Sequence, residues 1–436
     1  MSAERRSSTG VRGGLLRRSH DFRFFWLGEV AARFGESVTV LAIPLIAVST
    51  LHASTFEVGL LNAAPWLPWL LIGLPVGVWV DRWRRRPVML WADIICFVLF
   101  ASVPVAAWAG VLGVGQLLVV ALLTGAATVF FQTAYSAYLP GLLDPADRAE
   151  GNAKLHGSES AAQIVGLGAG GLLIQLVGAA NGMLVNTTTF LLSFLLLYRI
   201  RHREPVPERA ERSRGALGKE IREGLRLVSH DAYLRTLTLF GATSNLALTG
   251  YQSILVVFLV REIGLSAGMI GALATVGGIG GVFGALVVRR VADRLGTGRT
   301  LLLCQLGLVT PAVLIPLTAP GVGLLLLVVG YGSVSVGVVA GNIVKSTFIQ
   351  HYCPPGWLGR VGASSAFLNY GTMPLGALLG GALGTWLGFR PALWILTAGV
   401  PLSGLILYFS PIRRHRDLPA EPLQLDDSPT PETALV

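Results

Sequence analysis

Charged residues make up only 13% of this 436-residue chain. A soluble domain carries roughly 25%, so the shortage excludes an ordinary soluble enzyme. Cysteine is scarce too: Cys96, Cys304 and Cys353 are too scattered for a disulfide framework or a zinc site, and they read as small buried apolar residues. No Gly-Lys-Ser/Thr loop occurs, and the glycine runs at Gly277-Gly278-Gly280-Gly281-Gly284 and Gly376-Gly380-Gly381-Gly384 lie inside apolar stretches. They therefore permit close helix contact and do not cradle phosphate. With no metal cluster, nucleophile pair or cofactor loop, the chain is not expected to be an enzyme or to carry a cofactor. Residues Met1 to Ser19 are basic and Ser-rich without an apolar core, so no cleaved signal peptide is expected. The formal net charge of +10 would suggest nucleic acid only if the basic residues formed a stripe on a soluble face. They alternate instead with long apolar runs, and no nucleic-acid partner is expected.

Apolar sequence is what the chain has in quantity: 53% hydrophobic residues and a mean hydropathy of +0.63. A bilayer core about 30 Å thick needs about 20 apolar residues per helix. Twelve such segments are predicted near 22–48, 55–80, 87–109, 113–140, 155–178, 181–200, 234–260, 267–288, 299–319, 321–348, 361–385 and 391–410. Basic loops resist translocation, and with both termini inside, 31 of the 34 Lys and Arg residues fall on the cytoplasmic side. Arg261 and Arg390 fall outside, and Arg33 lies within a span. An even number of spans in the cell membrane with both termini cytoplasmic is the expected topology.

Two charged loops 212 residues apart mark a duplication. The first runs from Gly77 through Asp81-Arg82 to Arg86, and the second from Arg289 through Asp293-Arg294 to Gly296. Gly170-Gly171 and Gly380-Gly381 repeat at nearly the same interval, 210 residues. Six helices per half is an even number, so the repeats are parallel and related by an axis along the membrane normal. The fold class is therefore all-α and integral to the membrane. It has a cytoplasmic tail at 1–21, a six-helix half at 22–200, a linker at 201–233, a second half at 234–410 and a disordered tail at 411–436. In the linker Leu217, Ile221, Leu225 and Val228 recur at helical spacing while Lys219, Arg222 and Arg226 take other faces. That pattern suits a helix lying on the membrane surface or a solvated connector.

Asp81-Arg82 with Arg85 and Arg86 after Gly77 resembles the loop motif Gly-x-Leu-x-Asp-Arg-x-Gly-Arg-Arg of the major facilitator superfamily. Trp79 and Arg84 depart from it, and the second copy has Arg289 where the leading Gly belongs. The stretches Phe22 to Gly28 with Gly35-Glu36, Ala134 to Pro140, Glu223-Gly224-Leu225 with Leu234-Arg235, and Pro374-Leu375-Gly376 are similar to bacterial exporters of the macrolide-efflux and enterobactin-export branch. Gly157 and Gly166 to Gly171 resemble the antiporter motif of exporters, with Leu167 in place of Pro. Leu117 to Pro140 lacks the fourth-span Arg of many proton-drug antiporters. The resemblance implies a twelve-helix secondary transporter working by alternating access.

Charges inside a membrane cost about 2.5 to 3.5 kcal/mol each on insertion scales and tend to be paired and functional. Glu29, Arg33 and Glu36 fall within about 60° of one another on a helix of 3.6 residues per turn. Glu36, nearer the midplane, is the expected leading proton carrier: ionised it pairs with Arg33, and protonated it releases Arg33 to Glu29. A static ion triad is the alternative. Glu159 is read either as a cavity carboxylate or as an interfacial cap, and Asp93 as structural with a partner among Arg82 to Arg86. Asp81, Arg82, Arg85, Arg86, Asp293 and Arg294 are read as a conformational latch, with a topology signal alone as the alternative for the arginines.

Polar or aromatic groups in apolar spans are the candidate substrate contacts: Trp66, Gln132, Tyr135, Asn186, Asn245, Gln252, Tyr331, Asn342, Asn369 and Tyr370. Singly, each is more often a packing or interface residue than a ligand. As a set they suit a bulky amphiphilic molecule better than a sugar or an ion. The expectation is a monomeric exporter of a hydrophobic or amphiphilic small molecule, energised by the proton gradient and embedded in lipid. An exporter of one endogenous metabolite, such as a siderophore or antibiotic, and a receptor or lipid-handling protein on the same scaffold are the rivals.

Overall fold

The computed structural model describes residues 14–144, 147–202, 204, 216–354, 357–419 and 421–423, apart from the side chains of Leu74, Val78, Asp81, Ala149 and residues 216–221. Twelve helical spans run back and forth. Spans 1 to 6 are His20–Thr50, Thr55–Ala63 continued by Leu67–Arg82, Arg85–Trp108, Val114–Leu142, Arg148–Val177 and Ala179–Tyr198. Spans 7 to 12 are Ala232–Arg261, Ala267–Leu295, Thr297–Leu317, Leu324–Tyr352, Leu358–Trp386 and Phe389–Tyr408. Among the described residues ten helices are long and apolar enough to cross a membrane by themselves. Span 2 misses that measure because it is broken, and span 11 because Gly, Ser, Thr and Asn dilute its apolar residues.

Most spans run past the lengths predicted for them, and two are irregular. Span 2, expected as one helix, turns at Ala64-Pro65-Trp66, where Pro65 lacks the amide that would continue the ladder. Span 9 passes from α-helix at Thr297–Leu302 through a π-turn at Leu303–Leu308 to a 3₁₀ helix at Thr310–Leu317, which contains Pro311 and Pro316. Span 5 begins at Arg148, seven residues before the expected start, which moves Glu159 well inside the helix.

The packing repeats itself. Span 1 lies against spans 5 and 6 as span 7 lies against 11 and 12, and span 2 packs on span 4 as 8 packs on 10. Small residues make these approaches possible. A Cβ on Gly35 would fall 3.0 Å from the Asn186 Cα of span 6, and one on Gly166 would fall 2.7 Å from the Ser37 Cβ of span 1. The two halves meet through spans 5 and 8 and through spans 2 and 11. At both meetings glycine faces glycine. A Cβ on Gly171 would lie 2.8 Å from the Gly271 Cα, and one on Gly59 2.8 Å from the Gly381 Cα.

These pairs lie toward one end of the bundle, called here the far face, where the loops after odd-numbered spans sit. There Arg261 also donates to the Ala53 carbonyl at 2.5 Å, and the Asn62 amide donates to the Ser253 carbonyl at 3.4 Å. Toward the opposite end, the terminal face, spans 5 and 8 stay in contact as far as Ile164 and Gly278, and beyond them, among the described residues, nothing approaches the Cβ position of Gly157 within 4 Å. Among the described residues the halves thus meet at the far face and part toward the terminal one.

At the terminal face each half is finished by the segment that follows its last span. Glu204 accepts from the Arg86 amide at 3.0 Å, at the start of span 3. Asp417 accepts from the Thr297 amide at 2.9 Å, at the start of span 9. A carboxylate at a helix N-terminus satisfies an orphan amide and faces the positive end of the helix dipole. The second of these segments was expected to be disordered. Instead it turns at Pro411–Arg414, its Arg416 carbonyl accepts from Gly298 and Arg299, and the Leu423 amide donates to the Tyr352 carbonyl at 2.9 Å. Residue 420 and residues 424–436 lie outside the described residues. The linker helix, Ala216–His230, packs against span 11, with Val228 buried, Gly224 against the Arg360 carbonyl and Glu223 bonded to Arg360 at 2.9 Å.

Candidate functional site

Between the halves lies a cavity of about 470 Å³, walled by spans 1, 2, 5, 7, 8 and 10. A second space of about 500 Å³ adjoins it between spans 5, 7, 8 and 10. Gln163, Leu167, Gln252, Ala274 and Tyr331 line both, so the two are continuous. The second space extends past Gly157, Gly278 and Gly281, beside the close approach of Ile164 of span 5 to Gly278 of span 8. Its wall includes Val282 and Leu286, both of which are exposed.

The charged part of the cavity comes from spans 1 and 5. Arg33 Nε donates to Glu29 at 2.7 Å, Arg33 Nη1 donates to Glu36 at 3.0 Å, and Arg33 Nε lies 3.4 Å from Glu159. Side-chain exposure separates the acids: 8% for Glu29 against 36% for Glu36 and 42% for Glu159. Glu29 is sealed in the first half, whereas Glu36 and Glu159 front the cavity. Glu36 stands about 24 Å along span 1 from His20 at 1.5 Å per residue, near the middle of this 31-residue span.

The forked guanidinium of Arg33 reaches Glu29 and Glu36 at once, because they sit one turn below and one turn above it; the exchange expected between them belongs to the state in which Glu36 is protonated. Of the two readings of Glu159 the structure favours the cavity carboxylate over the interfacial cap: it lies eleven residues inside span 5, fronts the cavity and approaches Arg33 of the neighbouring span 1. What brings it there is the glycine run. Gly166 and Gly170 let span 5 close onto Ser37 and Val38 of span 1, while Gly168 and Gly171 on another face meet Thr275 and Gly271 of span 8.

Behind the cluster, Glu29, Arg33 and Glu36 also line a recess of about 10 Å³ with Asp93, Cys96 and Gln132, room for about one water. Asp93 was expected to pair with Arg82 to Arg86. It accepts instead from Ser193 Oγ at 2.8 Å, since it points into the bundle toward span 6. Its Oδ1 has no hydrogen-bond partner among the described residues.

The ten candidate substrate contacts divide. Gln252 and Tyr331 line the cavity, and Gln132 reaches only the recess. Asn186 is fully buried and donates to Thr39 at 2.5 Å, joining spans 1 and 6, so it is a packing residue. Asn245 bonds Asn369 at 3.4 Å between spans 7 and 11. Tyr135 stacks on Phe25 and Phe131 inside the first half, and Tyr370 stacks on Trp66 and meets Trp69 where spans 2 and 11 face each other. Asn342 is exposed on span 10 away from both cavities. Sequence reasoning missed Asn62 and Gln163. They follow the rule that picked out Gln252, a lone amide in an apolar span.

The expected latch is only partly visible. The side chain of Asp81 lies outside those described. Arg86 donates to the carbonyls of Leu197 and Tyr198 at 3.1 and 2.6 Å, and Arg85 lies 3.9 Å from Glu204. Asp293 and Arg294 are exposed, and the Arg294 carbonyl accepts from Arg416 at 3.2 Å. Each of these described bonds stays within one half or reaches the segment that follows it.

A duplicated six-plus-six bundle with a charged cavity between its halves defines a membrane transporter, not an enzyme. Residues 25–370 match the family model described as Major Facilitator Superfamily, and the chain belongs to that family. It is similar to the "Multidrug efflux pump Tap" of Mycolicibacterium fortuitum, 27% identical over 401 residues, covering 90% of this chain and 96% of the relative. The protein of the same name from Mycobacterium tuberculosis is 29% identical over 397 residues, covering 89% and 92%. Among solved structures, a bacterial homologue of the iron transporter ferroportin in an inward-facing state matches with a TM-score of 0.71 and 17% identity, covering 91% of this chain and 98% of that one. Its outward-facing state matches with a TM-score of 0.58 and 18% identity over 89% and 98%.

Proposed function

We propose that this transporter exports amphiphilic, positively charged small molecules from the cytoplasm in exchange for protons, by alternating access. The observation that carries this reading is the Glu36–Arg33–Glu159 group on the cavity wall. With Glu29 included, three carboxylates share one guanidinium, so the fully ionised cluster holds two negative charges in excess. Protons neutralise that excess from one side of the membrane and a cationic substrate neutralises it from the other. The two compete for the same carboxylates, and that competition is the coupling. The remaining wall, with Leu41, Leu255, Leu259 and Leu273 between the amides of Asn62, Gln163 and Gln252, suits an apolar body with few hydrogen-bonding groups. The similarity to pumps named for multidrug efflux supports the outward direction.

In this reading the terminal face is cytoplasmic, the membrane is the plasma membrane, and the conformation is inward-open. The better match to the inward-facing than to the outward-facing ferroportin homologue supports the last point. Substrate enters between spans 5 and 8, is held near Glu36 and Gln252, and leaves when the Gly171–Gly271 and Gly59–Gly381 meetings part. A monomer suffices, because both walls of the cavity belong to one chain.

Proteoliposomes with an imposed pH gradient test the proposal. The unaltered protein should move a lipophilic cation such as ethidium against its concentration and carry protons the other way. Glu36→Gln should still bind ethidium but lose the dependence on the gradient. Gradient dependence unchanged in both Glu36→Gln and Glu159→Gln would reject the coupling.

A further inference from the structure

Outside the cavity, a groove of about 590 Å³ runs along spans 2, 3 and 4 on the outer surface of the first half. One end is basic, formed by Arg82 and Arg84 where span 2 gives way to span 3. The rest is apolar: Trp83, Pro87, Val88, Trp91, Ile95 and Phe130. Trp91 is 68% exposed, and Trp83 is 49% exposed while stacking on Phe130 at 6.4 Å. From Arg85, where the helix starts, to Ile95 is about 15 Å along the helix. The basic end thus lies at the level where lipid headgroups begin, and the apolar floor descends into the hydrocarbon.

We propose that this groove is a binding site for an anionic diacyl phospholipid. The phosphate and its neighbouring charge sit against Arg82 and Arg84, and one acyl chain lies along Trp91 and Ile95. Two guanidiniums favour a headgroup with net negative charge over a zwitterion, whose own ammonium they repel. Flat indole faces pack on a methylene chain and keep their N–H groups for the interface. The site is not remote from the transport machinery. Ala92 and Ala127 line both the groove and the recess that holds Glu29, Arg33, Glu36 and Asp93, so a single layer of alanine separates the lipid from the charged cluster.

Native mass spectrometry of the full chain in mild detergent, offered equal amounts of phosphatidylglycerol and phosphatidylcholine, tests the site. Attraction to an anionic headgroup amounts to about fivefold in binding per arginine, so phosphatidylglycerol should be retained about tenfold or more over phosphatidylcholine. The double variant Arg82→Gln/Arg84→Gln should bring the ratio close to one. Trp91→Ser should weaken both lipids alike and leave the ratio standing. Arg289→Gln/Arg290→Gln, which removes two arginines from the terminal-face end of span 8 in the second half, should change nothing. A ratio near one in the unaltered protein overturns the proposal. So does a ratio that survives Arg82→Gln/Arg84→Gln, or an equal loss in Arg289→Gln/Arg290→Gln, which would mean overall basicity and not this groove.

Discussion

The two halves are close in architecture and opposite in chemistry. Span 1 carries Glu29, Arg33 and Glu36 into the bundle, and span 5 adds Glu159. Their counterparts in the second half, spans 7 and 11, hold Asn245, Gln252 and Asn369. Among the described residues, all charged residues on the walls of the two joined cavities come from the first half. Duplication supplied two equivalent frames, and the ionisable groups were concentrated in one. In the proposed function a neutral wall facing a charged one separates two tasks: the second half shapes the apolar site, while the first half senses charge.

The largest effect that would break this comparison comes from Arg33. Removing one partner of a buried ion pair leaves a charge uncompensated, at about 3 to 5 kcal/mol. Arg33→Met should therefore lower the melting temperature measured in detergent and abolish ethidium transport, whereas Arg261→Met at the far face should melt close to the unaltered protein. Equal losses from the two would remove the distinction between a working cation and a peripheral one.

Next in size is the meeting of the halves. A valine at Gly171 places Cβ 2.8 Å from the Gly271 Cα, and overpacking of that kind costs about 1 to 3 kcal/mol. The cost falls only on the conformer closed at the far face, so Gly171→Val should shift the population outward by about fivefold or more. Reaction of a cysteine placed at Asn62 with an impermeant maleimide reads this, and a rate no different from that in the Gly171 background would refute it. Gly59→Val should act in the same direction, since it blocks the other meeting.

The neutral wall should give smaller and different changes. Loss of one hydrogen bond is worth about 1 kcal/mol, so Gln252→Ala should raise the KM for ethidium about fivefold and leave the slope of rate against pH gradient untouched. A change in that slope would show that coupling is shared between the halves. Smallest of all is the acid in the segment that follows span 12, a strap held against the start of span 9: Asp417→Asn weakens one contact with a helix N-terminus, worth about 0.3 to 1 kcal/mol, and should lower the melting temperature slightly with no effect on KM.

The frame was readable in the chain because membrane spans and their duplication are written in long-range composition. Twelve apolar stretches, alternating basic loops and the two Asp-Arg pairs need no tertiary knowledge. The charged triad of span 1 was readable for a similar reason, since three residues on one helix have a fixed angular relation. What could not be read depends on which faces meet. Asn186 and Gln252 are alike as lone amides in apolar spans, yet one is locked between spans 1 and 6 and the other faces the cavity. Glu159 joins Arg33 only because Gly166 and Gly170 bring span 5 close. The strap after Pro411 has the composition of a solvated tail and is held by backbone bonds that composition does not report.

Three carboxylates against one guanidinium leave room for one proton or two, so the cluster alone does not fix the electrical character of the transport cycle. If a monovalent cation leaves as one proton enters, no net charge crosses the bilayer, and such a pump draws on acidity alone. Voltage across the membrane would neither help nor hinder it. A neutral cargo exchanged for that same proton would carry current, so the valence of the passenger, not the machinery, would decide whether the pump responds to membrane potential.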